Sequence, residues 1–236
     1  MRALIVTAVP PERDAVLAGL AACGSDFGRG PDPDSGPGSG EGRPTVLAAG
    51  VGPAAAAAAT AAELTSAALA GRPYALVVSA GIGGGFAPVQ PPDLVVASTI
   101  VAADLGADTP DGFRSVAALG FGTDTVHVPG DLARAVADRL RAVLGPVLTV
   151  STVTGTAARA AELAARHPGA VAEAMEGFGV AQAAAASGVP VLEVRAVSNP
   201  VGPRDRAAWR IPDALDALAG AFGKIAPVIE GWTRHG

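Results

Sequence analysis

The chain has 236 residues, half of them apolar and 17% charged, with a formal net charge of −5. This is ample for a sizeable buried core and too apolar for a disordered chain, and at this length one large domain, 1–236, is the default. The acidic balance, with no large basic field to collect phosphate backbones, argues against a nucleic-acid partner, and the lone Cys23 excludes an intramolecular disulfide and a thiolate metal cage, which fits a reducing cytoplasm.

The opening MRALIVTAVPPERDA has too short an apolar run for a signal peptide and meets prolines and charges at once, so it predicts a buried first strand. A helix follows from Pro11 to Ala22, because proline suits a first helical turn, where its missing N–H would be unpaired anyway. The Gly, Pro, Ser and Asp stretch from Gly24 to Pro44 has no periodicity and predicts a flexible surface loop at about 24–44. Next come the strand TVLAAG and a helix from Pro53 to Ala70, whose Glu63 and several hydroxyls exclude a membrane span.

Further apolar runs of strand length are ALVVSAG, DLVVASTIV, VLTVST and VPVLEVRAVS. They lack polar alternation, the pattern of strands covered on both faces. Between them the sequence predicts helices over Asp131 to Leu144, with Asp131 as N-cap, Thr156 to Arg166, Glu176 to Ser187 and Pro212 to Glu230. Alternating strands and helices imply an α/β layered fold around a mostly parallel sheet.

Several motifs fail. Gly50-Val51-Gly52-Pro53-Ala54-Ala55 has the spacing of a dinucleotide fingerprint, but the next strand ends in Ser79 and offers no acid for a ribose hydroxyl. A tight strand-to-helix turn is the better reading, with backbone N–H groups available to a ligand. SAGIGGG lacks the Gly-Lys-Ser/Thr ending of a triphosphate loop, and Val77 stands where a nucleophile elbow at Ser79 requires glycine. His127, His167 and His235 read as surface or packing residues. No two histidines share a helical turn and no acidic cluster has ligand spacing, so neither metal nor cofactor is expected.

Glu12 begins the first helix just after the first strand, a position that favours acids through the helix dipole whatever the function. The segment VAEAMEGFGVAQAAAASGVPVLEVRAVSNPVG places Met175 and Glu176 at a helix start and Arg195, Ser198 and Asn199 at the end of a strand. With AGVGPAAAA and VVSAGIGGGFAP, these pieces make the chain resemble the purine nucleoside phosphorylase and nucleosidase superfamily, in particular its methylthioadenosine/adenosylhomocysteine nucleosidase branch. The resemblance implies a three-layer α/β fold with a mostly parallel mixed sheet flanked by helices. It implies that Glu12 activates the attacking water, Met175 lines the ribose and base site, and Glu176 binds the ribose hydroxyls. Val51, Ser79, Ala80, Gly81 and Ser198 complete the implied substrate site.

These roles make chemical sense, because purine departure leaves positive charge on the sugar, which one carboxylate stabilises while a second deprotonates water. Core filler for Met175 and a capping acid for Glu176 are the plain alternatives. Asn199 departs from the pattern: the nucleosidases carry Asp there, which protonates purine N7. An Asn amide cannot protonate N7 but donates to N7 and to a 6-oxo oxygen, so the resemblance points to a 6-oxopurine; the competing role is closing a turn before Pro200. Water is preferred over phosphate as nucleophile because no Arg lies near SAGIGGG and the opening loop offers only Arg13.

In PVGPRDRAAWRIP, Arg204, Arg206 and Arg210 cluster around Trp209. This is either a solvated loop with one buried ring or, as in the futalosine hydrolases that the segment resembles, a binding site for a carboxyphenyl-propanone group on inosine. There an Arg such as Arg206 pairs the carboxylate and Trp209 stacks on the ring. Two departures stand out: Thr154, Gly155 and Thr156 occur where the superfamily places a base-stacking aromatic, and Ala174 replaces an acid. Stacking then falls to a residue such as Phe178, or to backbone contacts. The resemblance also implies a homodimer or higher homo-oligomer, with Phe113 of ADTPDGF covering the 5′ end of the partner's pocket. A phosphorylase and a non-catalytic nucleoside sensor on the same fold stay open.

Overall fold

The structure, a computed structural model, describes residues 2–23 and 44–235. Apart from Pro44, the loop expected at 24–44 lies outside the described residues.

Strand β1 (Arg2–Thr7) leads into helix α1 (Pro10–Ala22), and β2 (Thr45–Ala48) into α2 (Pro53–Leu69). Then come β3 (Tyr74–Gly85), β4 (Leu94–Ala102), a hairpin of β5 (Gly106–Thr109) and β6 (Gly112–Ser115), and β7 (Thr125–His127). The chain continues through α3 (Gly130–Leu140), β8 (Val143–Thr149), α4 (Ala157–Arg166), β9 (Ala172–Ala174), α5 (Gly177–Ala186) and β10 (Val191–Pro200). A short 3-10 helix, Arg206–Ala208, precedes α6 (Ile211–His235).

The main sheet is mixed and mostly parallel. β3 is flanked by β1 and β10, both parallel to it, and β1 carries β2. β10 also pairs with β4, β4 with β8, β8 with β9, and β9 returns to β3. β3, β10, β4, β8 and β9 therefore close into a ring with no free edge among them, which protects their backbone groups from pairing elsewhere. Helices α1, α3 and α6 pack together on one side, and α2 and α5 on the other. The six apolar runs read from the sequence each contain a strand; five of these are largely buried, whereas β2, at the end of the strand order, is only half-buried.

Three local expectations need correction. The strand expected to end in Ser79 is β3, which runs on to Gly85. Asp131 is not the N-cap of α3; Pro129 holds that position, and Asp131 sits in the first turn, where its charge favours the helix dipole. The same helix stops at Leu140 and not at Leu144, because Arg141 turns to φ 55° and Val143 and Leu144 begin β8.

Candidate active site

The site forms where the first turn of α1 meets the carboxyl-terminal half of β3. Pro10 and Pro11 fix the start of α1 and place Glu12 in its first turn, pointing back at the chain. Glu12 Oε2 accepts from the N–H groups of Ala8, at 2.9 Å, and Val9, at 3.3 Å, while Oε1 accepts from Ile82 N at 2.9 Å. The carboxylate is 4% exposed and held by backbone donors on both oxygens.

Behind it lies Arg195 on β10, 1% exposed. Its Nε donates to Glu193 Oε1 at 2.9 Å, Nη1 to Glu176 Oε2 at 3.2 Å, and Nη2 to Ser79 Oγ at 3.0 Å. Burial works against its charge, but Glu193, Glu176 and Glu12 together hold its pKa above the ordinary arginine value. Glu193 is itself fully buried, and burial pushes its carboxyl above the usual range although Arg195 opposes the shift. Among the described residues its Oε2 has no hydrogen-bond partner. A Cβ on Gly177 would overlap both oxygens, so any larger residue at the start of α5 would displace this carboxylate from its place against Arg195.

Gly81 joins the two halves of the site. A Cβ there would stand 2.6 Å from Glu12 Oε1 and 2.7 Å from Arg195 Nη1, so the bare backbone lets Glu12 and Arg195 face each other. The AGVG turn closes the same cluster from above. Gly50 and Gly52 take φ values of 97° and 93°, which side chains rarely adopt, and Gly52 N donates to Glu176 Oε1 at 3.2 Å. Val51, at the tip of the turn, is exposed.

Further along β10, Asn199 pairs in register with Gly84, which leaves room beside its amide. Its Oδ1 accepts from Ser198 Oγ at 2.8 Å and its Nδ2 donates to Pro200 O at 3.0 Å. These two contacts fix which way the amide faces, and they leave the second amide hydrogen for a ligand. Ser198 also lies 3.3 Å from Gly83 O.

The Arg/Trp loop is tied to this end of β10 by the backbone bond from Arg210 N to Ser198 O, 2.8 Å. Arg210 itself is engaged by Asp213 and Pro91 O, whereas Arg204 and Arg206 lie over the Trp209 ring at 5.7 and 5.8 Å.

The Phosphorylase superfamily model matches residues 38–226. Futalosine hydrolase of Streptomyces coelicolor is 64% identical over 236 residues, covering 100% of this chain and 99% of that protein. The chain belongs to the futalosine hydrolase family of the phosphorylase superfamily. A second family member, from Acidothermus cellulolyticus, is 47% identical over 173 residues, or 71% of this chain and 70% of that one. Among solved structures, a methylthioadenosine/S-adenosylhomocysteine nucleosidase from Colwellia psychrerythraea, in complex with adenine, superposes with a TM-score of 0.73 at 22% identity, covering 99% of this chain and 96% of that one. The corresponding nucleosidase of Neisseria meningitidis gives 0.71 at 19% identity, covering 97% of each chain. The fold is thus that of the nucleosidases.

Within this family member the structure draws Glu12, Ser79, Gly81 and Glu176 around one arginine. Ala80 is buried between Ser79 and Gly81, and Met175 is half-buried next to Glu176. Ser79 is itself fully buried, with its hydroxyl turned to Arg195. Ser198 and Asn199 stand farther along β10, with Arg206 and Trp209 beyond. Phe113 is not part of this group: it lies on the β5–β6 hairpin, with the Arg166 guanidinium 4.1 Å from its ring centre. Phe178 belongs to the main hydrophobic core.

The sequence alone gave Arg195 no role and did not single out Glu193 or Glu173, and it marked Thr154 only as standing where an aromatic is usual. The signal for the first pair was present: Glu193 and Arg195 stand two apart inside an apolar strand and so project from one face. Glu173 is buried on β9, its Oε1 accepting from Thr154 N at 2.8 Å and its Oε2 from the Thr154 hydroxyl. Burial raises its pKa, against the pull of those two donors.

Proposed function

We propose that this chain hydrolyses the N-glycosidic bond of futalosine, releasing hypoxanthine and dehypoxanthine futalosine in menaquinone biosynthesis. The observation that carries the reading is the Asn199 amide, oriented by Ser198 and Pro200 with one N–H left over, on the strand that also carries Arg195. In this reading Glu12 takes a proton from water as its oxygen bonds to the anomeric carbon. The electron pair of the breaking C–N bond passes into the purine, where the Asn199 N–H stabilises charge at N7 and the keto oxygen; solvent then protonates the leaving hypoxanthine. Glu176, turned by Arg195 and Gly52, receives the ribose hydroxyls. A positioned general base contributes about 10²–10⁴ in rate.

Water is favoured over phosphate because the cations nearest the site are engaged. Arg195 donates to Glu193, Glu176 and Ser79, and Arg13 is paired with Asp14. The carboxylate of the 5′ substituent is assigned to Arg206 and its ring to Trp209. Phe113 is assigned to the partner's pocket in a homodimer, and the enzyme to the cytoplasm; no helix among the described residues is long and apolar enough to cross a membrane.

Incubation with futalosine, with and without phosphate, tests the reading. Phosphate-independent release of hypoxanthine with a free reducing sugar is expected. A sugar 1-phosphate, or equal turnover of methylthioadenosine, would overturn it.

A further inference from the structure

Glu193 is fully buried in β10, within a run that is otherwise apolar up to Arg195. Placing an acid there is unfavourable, because a buried carboxylate gives up its water and regains only what protein donors supply. Its Oε1 accepts from Arg195 Nε at 2.9 Å, whereas Oε2 has no hydrogen-bond partner among the described residues. A buried ion pair is weak evidence of stability, since apolar residues of similar volume commonly do as well in its place. Stability therefore does not account for this acid; the geometry around it does.

Parallel pairing of β10 with β3 sets Glu193 opposite Ser79 and Arg195 opposite Gly81. Residues two apart on a strand share a face, so all four belong to one side of the sheet. The guanidinium occupies the room that Gly81 leaves beside Glu12. There each of its nitrogens has a separate acceptor: Glu193 for Nε, Ser79 Oγ for Nη2 at 3.0 Å, and Glu176 Oε2 for Nη1 at 3.2 Å. A guanidinium is a rigid planar fork, so three acceptors fix both its place and its plane. Two of the three, Glu193 and Ser79, are anchors on the sheet, and the third is the acid assigned to the ribose. Without Glu193 the fork is free to turn about Ser79, which carries Nη1 away from Glu176 and Glu12.

The start of α5 closes the other side of the carboxylate. A Cβ on Gly177 would overlap both Glu193 oxygens, so the acid is wedged between Arg195 and the residue that follows Glu176. Glu193 thus bears on Glu176 twice, through the guanidinium and through the backbone of the helix start.

We propose that Glu193 is a positioning residue for glycosidic cleavage, setting the plane of the Arg195 guanidinium and, through it, the carboxylate of Glu176. It acts without touching the nucleoside. Its effect falls on the step in which the sugar gains positive charge, because the acids that face that charge are the ones beside Arg195. The contacts assigned to the base and to the 5′ group, at Asn199, Arg206 and Trp209, are made elsewhere and do not depend on it. The inference rests on the hydrolase reading given above.

Steady-state hydrolysis of futalosine by the full chain tests it. Glu193→Leu keeps the volume and removes the acceptor, so kcat should fall about 10–100-fold, the usual effect of misplacing a group that acts on the transition state. KM should stay within about threefold, because binding shared by ground and transition states is untouched. Glu193→Gln again offers Nε an oxygen and puts its NH₂ where Oε2 has no partner, so it should recover kcat at least tenfold over Glu193→Leu. Wild-type kcat in Glu193→Leu, a parallel loss of kcat and substrate affinity, or no recovery in Glu193→Gln would each overturn the proposal. Should Glu193→Leu not fold, Gly177→Ala decides, because it keeps the acid but displaces it from Arg195; wild-type kcat there would overturn the proposal, and a fall in kcat with KM held would support it. Absence of futalosine hydrolysis by wild type would instead overturn the hydrolase reading, and the proposal with it.

Discussion

Arg195 donates to Glu176 across 3.2 Å with both side chains buried, and the same guanidinium holds Glu193 through Nε. One cation thus balances two buried acids. Removing it should be costly: Arg195→Ala is expected to lose about 3–5 kcal/mol by leaving uncompensated buried charge. Arg195→Lys retains the charge but not the planar fork, so it should recover part of the stability while Glu176 loses its orientation. Thermal unfolding and turnover, measured on both variants, check this; equal stability of Arg195→Ala and wild type would contradict it.

Glu12→Gln should fold and bind nucleoside while turnover falls about 10²–10⁴-fold, the usual contribution of a general base. Its amide presents one acceptor where the carboxylate presents two, so one of the contacts to Ala8 and Val9 N–H or Ile82 N–H is sacrificed. Single-turnover kinetics separate the loss of chemistry from any loss of binding.

Gly81→Ala introduces a methyl within 2.7 Å of both Glu12 Oε1 and Arg195 Nη1. Overpacking of this kind costs about 1–3 kcal/mol. Activity should drop far more than stability, since the displaced atoms are those of the acid and of the arginine that sets Glu176. A variant with wild-type turnover would show that the Glu12 position is not critical.

Asn199→Asp places a carboxylate oxygen against Pro200 O, now 3.0 Å from the amide nitrogen. Release of hypoxanthine should fall about 10²–10³-fold, as when a single transition-state donor is removed. Turnover of adenine nucleosides should rise relative to futalosine. Competition assays with both substrates measure the ratio directly.

Glu173 supplies a pH dependence. Burial raises its folded-state pKa above the ordinary glutamate value, with Asp104 adding to the shift and Thr154 and Arg159 opposing it. A raised carboxyl pKa means the folded state holds the proton more tightly. Its contribution to stability is therefore fully present below the unfolded pKa of about 4.3 and lost as pH rises through the folded value. The melting temperature of wild type minus that of Glu173→Gln should decrease from acid toward neutral pH; an increase would refute the assignment.

Much of the frame was legible because long apolar runs with no alternation have one stable fate, a strand covered on both sides. β5, β6, β7 and β9 escaped notice because they are three or four residues long and, as in GADT and GFRS, polar or glycine-containing; their pairing is dictated by neighbours distant in sequence. The end of α3 was hidden for a different reason: a left-handed Arg141 ends the helix where no glycine announces it. Glu12, Glu176 and Asn199 were legible as a pattern of separate pieces. The Thr154–Glu173 contact was not, since it joins a loop to a strand 19 residues on and has no periodic signature.

The ring formed by β3, β10, β4, β8 and β9 has a kinetic corollary. Glu12 reaches its place through Ile82 on a strand bounded by the first and the last strands of the chain, so no fragment or half-zipped intermediate carries an assembled catalytic centre. Regain of turnover during refolding can therefore serve as a clock for the docking of β10 onto β3, lagging any optical signal that reports helix formation alone.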